Sequence, residues 1–175
     1  MSAIPNHFEL FELPVCFDID LSLLAERYRD LQRLYHPDRH ADKSSQDVRV
    51  AVQKAAWVNQ AYDVLKSPVS RAYYLLELNG AKADGHSHIT RDSSFLMDQM
   101  ELRERLQEVE DEADPFAALA TLGEETQARY ADLQGQFANA LAMSDLEAAS
   151  DIAAKMQFFA KFLREVDEVE ERLDA

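Results

Sequence analysis

Cysteine, glycine and proline are all scarce in this chain of 175 residues, at one, four and five respectively. A single thiol, Cys16, excludes a disulfide framework, a cysteine-based zinc module and self-contained iron–sulfur ligation, each of which needs several sulfurs. So few helix breakers, with few β-branched runs, leave long helical patterns and point to an all-α protein. Nothing approaches the roughly twenty apolar residues of a transmembrane helix. Positive charge is also short, with 18 Lys+Arg against 33 Asp+Glu and a formal charge of −15. That balance argues against nucleic acid and anionic membranes as partners, since both are polyanions. No basic residue precedes Arg27, so neither a signal peptide nor an Arg-rich presequence is expected, and the expected class is a soluble cytoplasmic protein.

What is present is a hydrophobic fraction of 47%, ordinary for one or two small globular domains. The clearest break runs from Asn79-Gly80 to His88, where Gly80, Asp84, Gly85 and Ser87 interrupt the apolar periodicity. Residues 1–80 carry nine basic and eleven acidic side chains, whereas 81–175 carry nine and twenty-two. The expected organisation is therefore a near-neutral domain over 1–80, a linker over 81–91 and a strongly acidic domain over 92–175.

The first domain reads as four short helices. Asn6 with Glu9 caps the first, which Pro14 ends. Asp20 opens the second, whose stripe of Leu21, Leu24, Tyr28, Leu31 and Tyr35 follows 3-4-3-4 spacing. At 100° per residue, Arg29 and Arg33 fall together away from that stripe, and Arg27 flanks its other side. Pro37 stops the helix near His36. Ser44 with Asp47 opens the third helix, with an inward face of Val48, Ala51, Ala55, Val58, Tyr62 and Leu65. Ser67-Pro68 closes it and starts the fourth, Ser as cap and Pro at the first helical position. The core feature is thus an antiparallel helix pair joined by a loop containing His36-Pro37-Asp38.

The acidic half reads as a three-helix bundle. Its helices begin after Asp92-Ser93-Ser94, at Asp114-Pro115, and at Ser144 with Glu147 completing a capping box. Gly123 is the natural place for a bend in the middle one. In the first of them Phe95, Leu102, Leu106 and Val109 form the core stripe, while Leu96, Met97 and Met100 point the opposite way. The third has a core stripe of Leu146, Ala149, Ala153, Met156, Ala160 and Leu163, leaving Phe158 off it. A second apolar face either covers another domain or binds a partner, and Met suits adaptable interfaces. Periodicity leaves both readings open.

Chemistry-bearing constellations are few. His36 and His40 have the spacing of a helical metal pair, but Pro37 between them forbids a continuous helix and no third ligand is near, so no metal is expected. Neither a nucleophile–base set nor a ligand set for an enzyme is evident, and nothing calls for a cofactor. The exposed arginines admit two readings, a solvated helix face or a patch that steers one face toward an acidic partner. Arg39 and Lys43 extend that patch into the loop. His-Pro-Asp by itself is also what a polar helix–helix turn needs.

In context these residues resemble a J-domain. Tyr35-His36-Pro37-Asp38-Arg39 lies between a basic amphipathic helix and a helix ending Asn59-Gln60-Ala61-Tyr62-Asp63-Val64-Leu65, with Ser67-Pro68 following. Residues 67–76 and 91–105, the latter with Phe95-Leu96-Met97 and Glu101-Leu102-Arg103-Glu104, extend the resemblance to the HscB-type co-chaperones of iron–sulfur cluster assembly. The match runs from about Asn6 into the last helix. It implies an L-shaped, two-domain all-α protein. It also implies that Arg27, Arg29, Arg33, His36, Pro37, Asp38, Arg39 and Lys43 engage a seventy-kilodalton heat-shock chaperone of the HscA/DnaK class and stimulate its ATPase. Carried over likewise, Leu96, Met97, Met100, Glu101 and Phe158 would bind the iron–sulfur scaffold protein of the IscU class. Met100 stands where Leu is expected, a volume-conserving exchange. The cysteine module of eukaryotic relatives is absent, which points to a bacterial form. Two other readings compete: a general J-domain co-chaperone for unfolded clients, and a hydrolytic or metal-dependent enzyme for which no residues speak.

Overall fold

The computed structural model describes residues 5–36, 38, 44–81 and 92–174, and among these every regular element is helical. The chain divides into two compact units, Met1–Leu75 and Leu76–Ala175, so the division falls inside a helix.

In the first unit each helix starts on a side chain that accepts otherwise orphaned backbone N–H groups. The single turn α1 (His7–Leu10) has a reciprocal capping box, with Asn6 Oδ1 accepting from Glu9 N–H and the Glu9 carboxylate accepting from Asn6 N–H, both at 2.9 Å. Asp20 accepts from Ser22 and Leu23 N–H at the head of α2 (Leu21–Tyr35). Ser44 accepts from Asp47 N–H ahead of α3 (Ser45–Lys66). Ser67 caps α4 (Pro68–Leu78), accepting from Ser70 N–H at 3.3 Å. Gly80, at φ +80°, closes α4: its N–H donates to Glu77 O at 2.9 Å and Ala81 N–H to Leu76 O at 3.0 Å. This paired closure needs a left-handed residue, and glycine takes that conformation without a Cβ penalty.

The core of the first unit holds Phe8, Phe11, Leu24, Val58, Leu65 and Leu75, all at 1% exposure or less. Each such burial contributes about 1.5–3 kcal/mol. Leu21, expected on the inward stripe of α2, is instead 50% exposed, because the first residue of the helix stands at the edge of the pair. Arg71 is buried at 5%; its guanidinium donates to Leu65 O at 2.6 Å and lies 4.8 Å from the Phe17 ring centroid. A charge is tolerated there because hydrogen bonds and the ring face replace water.

The second unit contains α5 (Ser93–Glu108), a 3-10 turn (Val109–Asp111), α6 (Pro115–Ala142) and α7 (Leu146–Asp174). Asp92 and Asp114 cap α5 and α6, with Pro115 at the first helical position of the latter. The helix α6 runs without interruption through Gly123, and that glycine faces Val166 of α7. Leu119, Leu122, Thr126, Tyr130, Leu133 and Phe137 form its buried stripe.

Two expectations need correction. Ser144 does not start α7. It has φ +59° and closes α6, donating to Leu141 O at 3.0 Å while Asp145 N–H donates to Ala140 O at 3.0 Å. Asp145 is the residue that accepts from Ala148 N–H and so caps α7. The core stripe of α7 is also not straight. Ala149, Ala153 and Met156 are buried, but Ala160 and Leu163 are only partly so, and burial passes to Phe159, Phe162, Val166 and Val169. On a helical wheel the second set lies roughly a third of a turn away from the first. The physical cause is the neighbour: the second half of α7 packs on the α6 face around Gly123, a contact that periodicity cannot reveal.

Candidate functional site

The residues singled out from the sequence form two faces, one in each unit. In the first, α2 and α3 run antiparallel, since Tyr28 meets Tyr62 and Tyr35 meets Lys54. The Tyr28 and Tyr62 rings stack at 3.9 Å between centroids, and Tyr28 Oη donates to Asn59 Oδ1 at 3.0 Å. Gln32 Nε2 donates to the same Asn59 oxygen at 3.3 Å and also to Tyr28 Oη. With Ala61 fully buried, the Asn59-Gln60-Ala61-Tyr62 run therefore acts as a grip on α2. Sequence reading missed Gln32, whose i,i+4 spacing from Tyr28 was the available signal.

This grip aims the opposite side of α2 at solvent. Arg29 is exposed there, and Arg33 is exposed while lying 3.3 Å from Asp30. Arg27 does not join them: its guanidinium donates to the carbonyls of Phe11 and Glu12 and sits 3.6 Å from the Glu12 carboxylate. It serves the open end of α1, where carbonyls lack helical partners. His36 ends α2 with ψ 130°, the extended conformation that a following proline imposes. Asp38 N–H donates to His36 Nδ1 at 3.3 Å, and the Asp38 carboxylate lies 3.6 Å from that nitrogen. Both side chains are exposed. Pro37, Arg39, His40 and Lys43 lie outside the described residues.

The second face is built on α5. Its buried stripe is Phe95, Leu102 and Val109 continuing into the 3-10 turn, with Leu106 partly buried. On the other side Leu96, Met97 and Met100 are 45%, 71% and 73% exposed, and Glu101 is exposed beside them. Phe158 of α7 is half-buried. Its ring meets Phe95 edge-on at 5.6 Å and lies near-parallel to Phe162 at 5.9 Å, so it straddles core and surface. Arg103 of α5, not selected from the sequence, places its guanidinium 5.9 Å from the Phe158 ring centroid.

The start of α5 is tied to α7 by charge. Lys155 Nζ lies 2.8 Å from Asp92 Oδ2 and 3.1 Å from Asp151 Oδ2, and 5.5 Å from the Phe95 ring centroid. The Lys155 ammonium and the N–H groups of Phe95 and Ser94 hold the Asp92 carboxyl below its ordinary range. Burial pulls Lys155 down, but the two carboxylates more than offset this and raise it. A carboxylate with a depressed folded pKa stabilises fully above its unfolded value, roughly 4, and loses that contribution as pH falls through the folded value. The raised lysine stabilises below roughly 10.4 and loses its share above it. The start of α5 is thus expected to loosen below about pH 4, as is the Arg105–Glu125 pair between α5 and α6, whose hydrogen bond likewise holds the Glu125 carboxyl low. Amide exchange of 93–100 against that of α6 as pH is lowered measures this; uniform loss across the unit would exclude it.

Among the described residues no group of three or more His, Cys, Asp or Glu side chains is arranged to hold a metal ion, and no helix is long and apolar enough to cross a membrane. Compared with known proteins, residues 7–74 match the DnaJ domain and residues 91–167 match the HSCB C-terminal oligomerisation domain. The co-chaperone protein HscB homologs of Vibrio atlanticus and Vibrio vulnificus are each 44% identical over 168 residues, 96% of this chain and 98% of theirs. Among solved structures, the chaperone HscB from Vibrio cholerae matches with a TM-score of 0.88 at 44% identity, over 97% of this chain and 99% of that one. The human co-chaperone protein HscB matches with a TM-score of 0.87 at 28% identity, over 97% and 84%.

Proposed function

Because this chain belongs to the HscB co-chaperone family, carrying a DnaJ domain ahead of the HSCB C-terminal domain, we propose that it delivers an iron–sulfur scaffold protein to a dedicated chaperone. The chaperone is of the HscA class and the scaffold of the IscU class. The family is one of co-chaperones and not of enzymes. ATP chemistry belongs to the chaperone, and this chain acts by favouring the chaperone's hydrolysis-competent state, which requires that it bind that state more tightly. We place the exchange in the cytoplasm.

The observation that carries the reading is the exposed apolar face Leu96, Met97 and Met100 with Glu101, gathered on one side of α5 opposite its buried stripe. Contiguous exposed apolar surface marks a site of interaction with another protein. The basic face of α2, centred on Arg29 and Arg33 and continued by His36-Pro37-Asp38, suits an acidic docking surface on the chaperone. Its charge would raise the association rate and lose effect as salt increases. Holding both partners on one chain raises the scaffold's local concentration at the chaperone without any new contact.

Reconstitution with purified chaperone and scaffold tests this. The chain alone should accelerate ATP hydrolysis, and chain plus folded scaffold should accelerate it further, by about tenfold or more over scaffold alone. A denatured client that replaces the scaffold with equal effect would favour the general co-chaperone reading. That reading accounts for the first unit only, whereas the similarity to HscB proteins covers 96% of the chain.

A further inference from the structure

We propose that Lys155 is a positioning residue for the scaffold face, locking the first turn of α5 onto α7 so that the exposed α5 side chains and Phe158 are presented in one arrangement. The inference rests on the scaffold-binding reading above and adds to it a residue that makes no contact with the scaffold.

The geometry at the head of α5 divides labour between the two oxygens of Asp92. Oδ1 accepts from Ser94 and Phe95 N–H, both at 3.1 Å, and so holds the helix start; Oδ2 takes Lys155 Nζ at 2.8 Å. The same ammonium is held from its own helix by Asp151 and lies over the Phe95 ring. Its side chain is only 19% exposed, so these contacts form where water competes weakly. One cation therefore fixes three things at once: the cap, the ring of Phe95 and the turn of α7 that carries it. Phe158 follows Lys155 by three residues, on the same side of α7, and its ring abuts Phe95 edge-on. Leu96 and Met97 follow Phe95 directly. Leu96, Met97 and Phe158 thus lie beside the clamp, and Met100 and Glu101 follow about one turn further along α5.

Further along, α5 is anchored by buried Leu102, by Val109 in the following turn, and by Arg105, which donates to Glu125 of α6 at 2.8 Å. Apolar contacts of that kind resist separation but permit small slides, because they are non-directional. A charged hydrogen bond to a cap oxygen does not permit them. A binding face spread over two helices depends on its register, and the clamp fixes it against α7 at the end of α5 that carries Leu96 and Met97.

The test is Lys155→Met, which keeps the aliphatic stem and removes the charge. By calorimetry against the purified scaffold, affinity is expected to fall about tenfold, within the coupling range of contacting residues. Lys155→Arg is expected to recover most of it. Asp92→Asn, which still caps the helix, should reproduce the loss. Amide exchange should quicken over 93–100 while α6 keeps its protection, a pattern that general destabilisation would not produce. In a Phe158→Ala background, Lys155→Met should cost less than about twofold, since the register no longer matters. Binding within twofold of the unaltered protein, protection lost equally through α6 and α7, or an undiminished cost in the Phe158→Ala background would each overturn the role. Leu96→Ala with Met97→Ala runs in parallel: if that pair binds normally, the scaffold-face reading itself has failed. If it loses binding while Lys155→Met does not, only the role of Lys155 has.

Discussion

His36→Gln is expected to drop stimulation of the chaperone ATPase to near the basal rate while leaving helix content and scaffold binding unchanged. The geometry makes the substitution clean. The His36 side chain is 58% exposed at the end of α2, and its described contacts go only to Asp38. Gln retains a hydrogen-bonding side chain of similar reach, and exposed changes of this kind usually alter stability by about 0.5 kcal/mol or less. Unfolding therefore cannot account for lost stimulation. Even a hundredfold stimulation corresponds to only about 2.7 kcal/mol of transition-state energy, an amount that a small contact set centred on one turn can supply. Single-turnover hydrolysis with and without the variant, alongside far-ultraviolet circular dichroism, decides the matter. Undiminished stimulation would sink the role of the His36 turn.

The second large effect is on the acidic unit. Replacing Leu96, Met97 and Phe158 together by Ala is expected to weaken scaffold binding by about a hundredfold or more, since buried apolar anchors at an interface are each worth about 1–2 kcal/mol. The three positions are not equivalent in the free protein. Leu96 and Met97 are exposed, so truncating them should barely move the melting temperature. Phe158 touches Phe95, Phe159 and Phe162, so its truncation removes packing and should cost about 1–3 kcal/mol of stability. The triple variant is therefore to be read against Phe158→Ala alone, by calorimetry for binding and urea denaturation for stability. Normal binding by a folded triple variant would remove these residues from the interface.

Much of the architecture was legible in the chain because its signals are local. Asn6 with Glu9, Asp20, Ser44 with Asp47, Ser67-Pro68, Asn79-Gly80 and Asp114-Pro115 each act within about four residues, and each lies where a helix begins or ends. The same locality explains the failure at Ser144. Ser-x-x-Glu there has the form of a capping box, but α6 needed a left-handed residue at that point to close its last carbonyls, and Asp145 was left to cap α7. Two neighbouring helices competed for one short turn, and only their joint geometry could decide between them.

The legible part of the two faces followed the same rule. The apolar and exposed sides of α5 separate as their 3.6-residue spacing requires. The charge asymmetry between the halves needed nothing beyond counting. Other site features depend on partners far along the chain. Arg27 and Phe11 are sixteen residues apart, and no helical wheel could show that this arginine serves the end of α1 while Arg29 and Arg33 face solvent. Phe159 and Phe162 take over the core of α7 because of where α6 lies.

By itself, then, the sequence determined the helices, most of their ends, the separation of charge and the end of α2 at His36, because each depends on covalent neighbours or on the 3.6-residue repeat. Tertiary structure alone decided which side of α7 is buried, that Arg27 turns to the end of α1, and that Lys155 meets Asp92 across sixty-three residues. Side chains that distant have no fixed relation until the helices between them have packed, so their pairing is a property of the folded unit and not of any segment.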